Sequence, residues 1–278
     1  MKPPRLLLAA LLLSLFTLPP SLLSGPADAA PELGLAAYTF IDRSFSKALD
    51  RAAAMRIKYI QANPKQKISS TNKALFRHDM DDATKAEVRA LLKAKNITLT
   101  SYGNIIGKDE ADWRAIFAFA KEMGLRDIVT EPKPEDLPLL DRLSRETGVA
   151  VAIHNHAPPN RYANPDTVLT LIKPYGPNIG FCADTGHWAR SGYDPVAALK
   201  KAAGRIINLH FKDLNELGKK TAHDVPWGTG ASNAAQQLAE LRRQGFTGIA
   251  YMEYEHITPK LESETAASAA WFQKQIKK

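Results

Sequence analysis

The chain alternates between two hydrophobic patterns from residue 33 to residue 275. Short runs rich in β-branched and aromatic side chains are each followed by a longer segment in which apolar residues recur every three to four positions. The first pattern predicts buried strands and the second predicts amphipathic helices. The predicted strands are Leu33–Thr39, Ile57–Gln61, Ile97–Tyr102, Asp127–Thr130, Val149–His154, Ile179–Ala183, Arg205–His210 and Gly248–Glu253.

A helical segment follows every predicted strand. A glycine marks five of the helix-to-strand junctions, at Gly124, Gly148, Gly176, Gly204 and Gly245, and glycine is typical of the residue just past a helix end. Strands that alternate with helices of this length indicate crossover units and a parallel sheet. The predicted helices are Phe45–Arg56, Ala83–Lys95, Glu110–Met123, Pro134–Thr147, Asn164–Lys173, Asp194–Ala203, Ser232–Arg243 and Lys260–Gln275.

Eight strand–helix pairs within one chain of this length predict an α/β fold, a single (β/α)8 TIM barrel. An open doubly wound sheet is the alternative, and it typically carries a glycine-rich loop after its first strand. The segment AAYTFIDRSF, residues 36–45, contains no glycine, which favours the barrel. The two longest irregular stretches, Ala62–Asp82 and Leu214–Ala231, both follow strands and are expected over the same face.

The N-terminal segment resembles a secretory signal peptide. Basic residues precede the apolar run Leu6–Leu18, and the small-x-small pattern Ala27-Asp28-Ala29 follows it. We therefore expect residues 1–29 to be removed and residues 30–278 to form the mature domain, exported to the periplasm or secreted. The apolar run is shorter than the roughly 20 residues that cross a bilayer, so we expect no membrane span after cleavage.

Composition excludes several classes of protein. The formal net charge is +8, but the basic residues are scattered along many helices rather than gathered in the stripe that nucleic acid requires. Cys182 is the single cysteine, which excludes an internal disulfide framework. A 45% hydrophobic chain of 278 residues has enough apolar side chains to be stabilised by a core. Composition says nothing about the oligomeric state.

Polar side chains cluster at the carboxyl ends of the predicted strands. Because these ends meet at one mouth in a parallel barrel, where this fold carries its chemistry, we expect them to form the active site. The residues are Tyr38, Thr39, Gln61, Tyr102, Asn104, Glu131, His154, His156, Asp184, His187, His210, Lys212, Glu253 and Glu255.

Four of these side chains predict a metal site. His154, Asp184, His210 and Glu253 come from four neighbouring strands and offer mixed nitrogen and oxygen donors, which suit manganese, zinc, cobalt or iron. A single histidine at a strand end also has an ordinary structural interpretation as a hydrogen-bonded residue. The DTGH segment, 184–187, is equally compatible with a helix-capping turn.

Other residues of the mouth are candidates for catalysis and substrate binding. His156, His187 and Glu253 are candidate bases for a proton on carbon, and Lys212 for holding a substrate oxygen. Glu255 belongs to the same catalytic set or orients a ligand from behind. The candidate substrate contacts are Glu131, Tyr102, Trp188 and Trp227. Glu131 could instead support a ligand imidazole, and the two tryptophans could instead anchor loops.

The segments VAIHNHAP, IGFCADTGHWARSGYDP, LHFKD, VPWGTG and YMEYE resemble, in this order, the sugar isomerase and epimerase-like superfamily with the xylose isomerase-type barrel. The resemblance implies metal binding by Asp184, His210 and Glu253 and substrate contact by His187. Many relatives have glutamate at the first position of the strand-five motif, where this chain has His154. Either His154 replaces that ligand, or Glu131 reaches across.

Three functions follow from the residues and the resemblance. The first is a metal-dependent sugar isomerase or epimerase that removes a proton next to a carbonyl through an enediolate. The second is a lyase or hydratase that acts on 3-keto-glycosides by the same chemistry, which export, the His-Asn-His motif and the lack of a phosphate cradle favour. The third is a non-catalytic carbohydrate-binding barrel. In each the partner is a small carbohydrate, and an abasic-site endonuclease is disfavoured by export and the scattered basic residues.

Overall fold

The computed structural model describes residues 30–277. Eight parallel strands, paired in sequence order, close into a barrel in which β8 pairs with β1. The predicted (β/α)8 barrel is therefore confirmed, whereas the predicted signal peptide lies outside the described residues and stays a prediction. The strands are β1 (Glu32–Ala36), β2 (Tyr59–Ala62), β3 (Thr98–Ile105), β4 (Asp127–Thr130), β5 (Ala150–His154), β6 (Ile179–Asp184), β7 (Ile206–Phe211) and β8 (Ile249–Met252).

The helices lie outside the barrel and cover its apolar outer surface. None of those within residues 30–277 is both long and apolar enough to cross a membrane. They are α1 (Phe45–Ala54), α2 (Asp82–Lys95), α3 (Glu110–Glu122), α4 (Leu137–Thr147), α5 (Pro165–Ile172), α6 (Thr185–Arg190), α7 (Pro195–Lys201), α8 (Ala234–Arg243) and α9 (Leu261–Gln275).

The first strand is shorter than predicted. It ends at Ala36, and the next four residues, Ala37–Phe40, form a 3-10 turn. The buried Thr39 side chain joins this turn to the end of β8: its hydroxyl donates to the Met252 carbonyl (3.1 Å) and accepts from the Tyr254 amide (3.1 Å). These bonds fix the first turn against the end of β8, directly before Glu253 and Glu255.

A buried polar network crosses the barrel interior below the mouth. Ser101 and Asn208 both donate to the same Asp127 oxygen, at 2.5 and 2.7 Å. The Gln61 amide donates to the Ser101 hydroxyl at 3.0 Å. Burial raises the pKa of Asp127 to about 7, although these donors favour the ionised form. The network therefore connects an interior acid to the end of β2 at the mouth.

Candidate active site

Four side chains from β5, β6, β7 and β8 place one donor atom each within 4.8 Å of all the others. His210 Nδ1 lies 3.1 Å from His154 Nε2 and 3.0 Å from Glu253 Oε2. Asp184 Oδ2 lies 3.4 Å from His154 Nε2 and 3.7 Å from His210 Nδ1. Donors that bind one ion at about 2.1 Å are separated from each other by about 3.0–3.4 Å, so the spacing matches a shared cation.

Hydrogen bonds behind the two imidazoles turn unprotonated nitrogens towards each other. The Glu131 carboxylate accepts from Nδ1 of His154 (3.1 Å), and the Gln61 carbonyl oxygen accepts from Nε2 of His210 (2.7 Å). The tautomers assigned from these acceptors leave lone pairs on His154 Nε2 and His210 Nδ1, the two atoms that face each other. Two lone pairs at that distance are stable only with a cation or a proton between them, so the donors fit a metal ion.

Burial opposes the charged form of both imidazoles, but neighbouring carboxylates outweigh it. Asp184 and Glu131 raise the pKa of His154. Anionic groups that include Glu253 and Asp184 hold the pKa of His210 well above its usual value. The cluster therefore attracts positive charge, which a proton or a divalent cation can supply.

Asp184 is held by the backbone and side chains around it. The Asn155 side chain donates to the Asp184 carbonyl and accepts from its amide, both at 2.9 Å. Asp184 Oδ1 accepts from the His187 amide at 2.7 Å and so caps α6, as the DTGH pattern allowed. The other oxygen, Oδ2, faces the donor cluster and the ammonium of Lys212.

Lys212 lies beneath the cluster and has no exposed side-chain surface. Its ammonium is 2.9 Å from Asp184 Oδ2, 2.8 Å from Glu253 Oε2 and 2.9 Å from Glu255 Oε2. These carboxylates raise its pKa well above the ordinary value although burial opposes the charge. The lysine stem packs on Gly186, where a Cβ atom would lie 2.5 Å from it. Lys212 thus joins the site as a fixed buried charge and does not line the cavity.

The donor cluster opens into a cavity of about 440 Å³ at the mouth of the barrel, within the size range of small-molecule sites. His156, with 45% of its side chain exposed, stands in its wall and contacts Glu131 through Nδ1. Glu131 also accepts from Asn104 (2.8 Å) and Asn160 (2.5 Å), and although burial opposes ionisation, its histidine partners hold its pKa far below the usual range. Glu131 therefore supports two imidazoles from behind, and His154 supplies the nitrogen in the cluster.

His187 and Glu255 border the cluster on the side of β6 and β8. Both ring nitrogens of His187 lack a hydrogen-bond partner within residues 30–277. Burial lowers the pKa of His187 to about 3 although Asp184 lies nearby, so the ring is neutral at pH 7. Glu255 Oε2 pairs with Arg190 (2.6 Å), which also reaches Asp224 (3.4 Å).

Three predicted substrate contacts lie away from the cavity. Tyr102, Trp188 and Trp227 are each at most 2% exposed and pack in the apolar layer between the strands and the helices. They belong to the packing of the barrel rather than to the site. Their ring neighbours are Phe119 for Tyr102 (5.4 Å between centroids), Phe181 for Trp188 (6.1 Å) and Phe211 for Trp227 (4.8 Å).

Sequence reasoning did not single out several residues that the structure places at the site. Asn63 and Lys65 line the cavity from the loop after β2. Arg190 and Asp224 join the carboxylates of β8 from α6 and from the loop after β7. The one signal for Asp224 was its place next to apolar residues in the segment HDVPWG, residues 223–228. Asn63, Lys65 and Arg190 had no signal, because none of them stands at the end of a predicted strand.

The fold and this site correspond to a known family. The Xylose isomerase-like TIM barrel family matches residues 135–275, about half of the chain, and the chain belongs to this family. Its members define a class of sugar isomerase-like and epimerase-like barrels. The chain is 37% identical over 76 residues to the rhizopine catabolism protein MocC of Rhizobium meliloti and 30% identical over 96 residues to inosose dehydratase of Clostridium tetani.

These curated relatives are matched only in part. The matched segments span 27% and 33% of this chain but only 23% and 32% of the length of the respective relatives. Solved structures match over most of the chain. An uncharacterised protein from Parabacteroides distasonis has a TM-score of 0.71 and 28% identity, with coverage of 88% of this chain and 98% of that one. The IOLI protein with a bound zinc atom has a TM-score of 0.67 and 18% identity, with coverage of 88% and 96%.

Proposed function

We propose that this protein is an exported, metal-dependent sugar enzyme of the isomerase and epimerase type, which removes a proton from the carbon next to a sugar carbonyl. The observation that carries the proposal is the pair of facing imidazole nitrogens, His154 Nε2 and His210 Nδ1, 3.1 Å apart, with two carboxylates beside them at the floor of an open cavity. The substrate is a small carbohydrate.

The cation would be held by His154, Asp184, His210 and Glu253. Two nitrogen and two oxygen donors suit manganese, zinc, cobalt or iron, and the zinc atom in the IOLI protein supports this assignment. A divalent cation bound there polarises a carbonyl oxygen and stabilises the negative charge that develops when the neighbouring carbon loses its proton.

His156 is the proposed base on the β5 side. Glu131 accepts from its Nδ1 and so leaves Nε2 as the basic nitrogen of the exposed ring. The ring takes the proton from carbon, and the electron pair of the broken C–H bond moves into the carbonyl. Return of a proton to the other face of the same carbon gives an epimer. Return to the former carbonyl carbon, with transfer of the hydroxyl proton from the neighbouring oxygen to the former carbonyl oxygen, gives an isomer. Glu253 also lines the cavity and is the candidate to carry the second proton, which it must first take from substrate or water because Lys212 and His210 keep it ionised.

A lyase or hydratase that acts on 3-keto-glycosides is the second candidate, and the similarity to inosose dehydratase supports it. In that reaction the electron pair left by the proton expels an oxygen substituent one carbon further on. The departing oxygen takes up the proton that the base had removed, so water or an alcohol leaves and an unsaturated ketose is formed. The pairing of an imidazole, His156, with a carboxylate, Glu253, gives the two walls different basicity, which suits elimination.

Incubation of metal-loaded protein with free ketoses and with 3-keto-glycosides in deuterated water tests the proposal. Deuterium at carbon with all atoms retained identifies isomerisation or epimerisation. A released alcohol and an unsaturated ketose identify elimination instead. Binding of sugar without exchange or turnover would contradict both enzymatic candidates and leave a carbohydrate-binding barrel.

The metal site is tested separately from activity. We expect His154→Ala and His210→Ala to weaken the binding of Zn²⁺ by at least about 100-fold, because loss of a direct ligand exceeds the 10–100-fold cost of losing a supporting residue. Competition with a chromogenic chelator measures the affinity. His78→Ala is the matched control, since His78 pairs with Asp112 on the outer layer. Unchanged affinity in both site variants would contradict the ligand assignment.

A further inference from the structure

A second cavity of about 390 Å³ lies beside the first, on the side of β6 to β8. We call it the annex. Its walls come from α6, from the loop after β7 and from the segment after β8, and they include His187, His223, Asp224, Glu255 and His256. Its volume falls in the range of small-molecule pockets. No step of the proposed chemistry uses this space.

The annex adjoins the reaction cavity. Glu255 lines both cavities. The ring of His187, in the annex wall, lies 4.6 Å from the ring of His156, which lines the reaction cavity. A molecule with two linked parts can therefore occupy both spaces, with its junction near Glu255.

The annex wall contains buried polar atoms without partners. Asp224 is 1% exposed, and its Oδ1 makes no hydrogen bond within residues 30–277. The side chain of His187 is 11% exposed, and neither of its ring nitrogens has a partner in the same part of the chain. An unsatisfied buried polar group destabilises the fold, so such groups call for a water molecule or a ligand hydroxyl group as a hydrogen-bond partner.

The charges of the annex select a neutral ligand. Two cationic side chains, Arg190 and Lys220, stand against two carboxylates, Asp224 and Glu255, and Arg190 is already paired with both acids. A phosphate or carboxylate on the substrate would meet no surplus of positive charge there. Free acceptors and neutral donors, by contrast, are what hydroxyl groups require.

Two imidazole rings line the rim of the annex. The rings of His223 and His256 are in contact, tilted at 46° with their centroids 4.2 Å apart, and both side chains are partly exposed. Sugar rings pack on flat unsaturated side chains and hydrogen-bond at their edges, and an imidazole pair offers both kinds of contact.

We infer that the annex is a subsite for a second, uncharged sugar ring, so that the preferred substrate is a glycoside whose keto-sugar ring lies over the donor cluster. The inference rests on the proposed function and names its substrate class. The leaving or retained sugar ring beyond the glycosidic oxygen occupies the annex, with its hydroxyl groups facing Asp224 Oδ1 and the ring nitrogens of His187.

The test compares a 3-keto-disaccharide with the corresponding free 3-keto-hexose. We expect His223→Ala and His256→Ala to lower kcat/KM for the disaccharide at least about tenfold, comparable to the loss of 1–2 kcal/mol of binding, and to change the value for the hexose less than about twofold. His78→Ala, a histidine outside both cavities, is the control. A non-reacting methyl pyranoside should inhibit turnover of the disaccharide but not of the hexose.

Equal effects of these variants on the two substrates would overturn the annex as a sugar subsite, as would preference for a keto-sugar phosphate over the disaccharide. If neither substrate exchanges deuterium or turns over, the proposed function is wrong, and the annex is then judged by calorimetry alone. In that case weaker disaccharide binding in His223→Ala supports the subsite, and unchanged binding refutes it. Unfolding midpoints of the variants verify that they are folded.

Discussion

Lys212 is the residue whose role differs most between a reading of the sequence and the structure. A strand-end lysine is expected to reach into the cavity, but this one is wholly buried and contacts one oxygen each of Asp184, Glu253 and Glu255. Two of those oxygens also belong to the donor cluster. The ammonium therefore lowers the negative charge that a metal cation meets and stabilises the carboxylates when no cation is bound.

We expect Lys212→Met, which keeps the volume of the stem, to destabilise the metal-free protein and to increase the stabilisation that Zn²⁺ provides. Loss of the buried positive charge leaves Asp184 and Glu253 with only their imidazole neighbours and Glu255 with Arg190 alone, at a cost of about 3–5 kcal/mol, and a divalent cation recovers part of that cost. Thermal unfolding with and without Zn²⁺ measures both effects. Lys201→Met, an exposed lysine paired only with Asp166, is the control. A smaller metal-induced shift in Lys212→Met than in the wild type would contradict this role.

The sequence could predict that these side chains meet at one mouth, but it left the choice between His154 and Glu131 open and could not predict the orientations of the rings. Strand-end position and period-two alternation are enough to bring His154 and His210 to one mouth. Which ring nitrogen faces the cluster depends on Glu131 and Gln61, which are distant in sequence and act only through the closed barrel. Arg190 and Asp224 could not be predicted for the same reason, because their contacts with Glu255 and with each other join segments that are distant in sequence.

At the scale of elements, the strands were predictable and the short helical segments were not. Periodicity located all eight strands because each is a compact apolar run between polar breaks. Helix α6 is six residues long, too short for a helical pattern to repeat, and Asp184 rather than periodicity starts it. The 3-10 turn Ala37–Phe40 continues the apolar run of β1 without a break, so the sequence extends that strand too far.

The loop between β7 and α8 forms the outer wall of the annex, and Asp213 holds it. One Asp213 oxygen accepts from the amides of Gly228 (2.8 Å) and Gly230 (3.0 Å), and the other accepts from the Ser232 amide (3.1 Å). Three backbone donors converge on one carboxylate, in a segment whose close packing leaves no room for a Cβ at Gly230.

We therefore expect Asp213→Ala to lower the free energy of unfolding by at least about 2 kcal/mol, since several buried amides lose their acceptor. Urea denaturation measures the loss. Asp166→Ala is the control, because Asp166 makes an exposed ion pair with Lys201, and such pairs contribute about 0–1 kcal/mol. A change in Asp213→Ala no larger than in the control would show that the loop is held by other contacts.

At the scale of the whole molecule, the barrel interior makes stability depend on pH. The pKa of Asp127 is about 7 in the folded protein against 3.8 as the reference value, because burial disfavours the carboxylate. Between about pH 4 and pH 7 the folded state therefore binds a proton that the unfolded state has released. The contribution of Asp127 is fully present below pH 4 and is lost as the pH rises through 7.

Asp127→Asn isolates this contribution, because its remaining oxygen still accepts from Ser101 and Asn208. We expect the metal-free wild type to lose about 2 kcal/mol of stability relative to the variant between pH 5 and pH 7, by linkage at 1.36 kcal/mol per pH unit. Urea unfolding of both proteins at several pH values measures the difference. A difference that stays constant across this range would show that Asp127 titrates alike in both states.

The closed barrel followed from the sequence because eight repeated units, each with its own buried strand, leave few other arrangements. The annex could not be predicted from the sequence. Its walls come from α6 and from loops that share no pattern, and their relative positions are set by long-range bonds such as the Arg190 bond to the Ala222 carbonyl (3.0 Å).

Asp184 has two tasks that cannot be separated by substitution. One oxygen starts α6 and the other faces the metal donors, so a longer acid or an imidazole at this position would move the helix start together with the ligand. Redesign of the metal preference is therefore best directed at His154 or Glu253, whose side chains start no helix. A variant of this barrel that no longer binds the proposed cation is expected to need the aspartate all the same, because its bond to the His187 amide still starts α6.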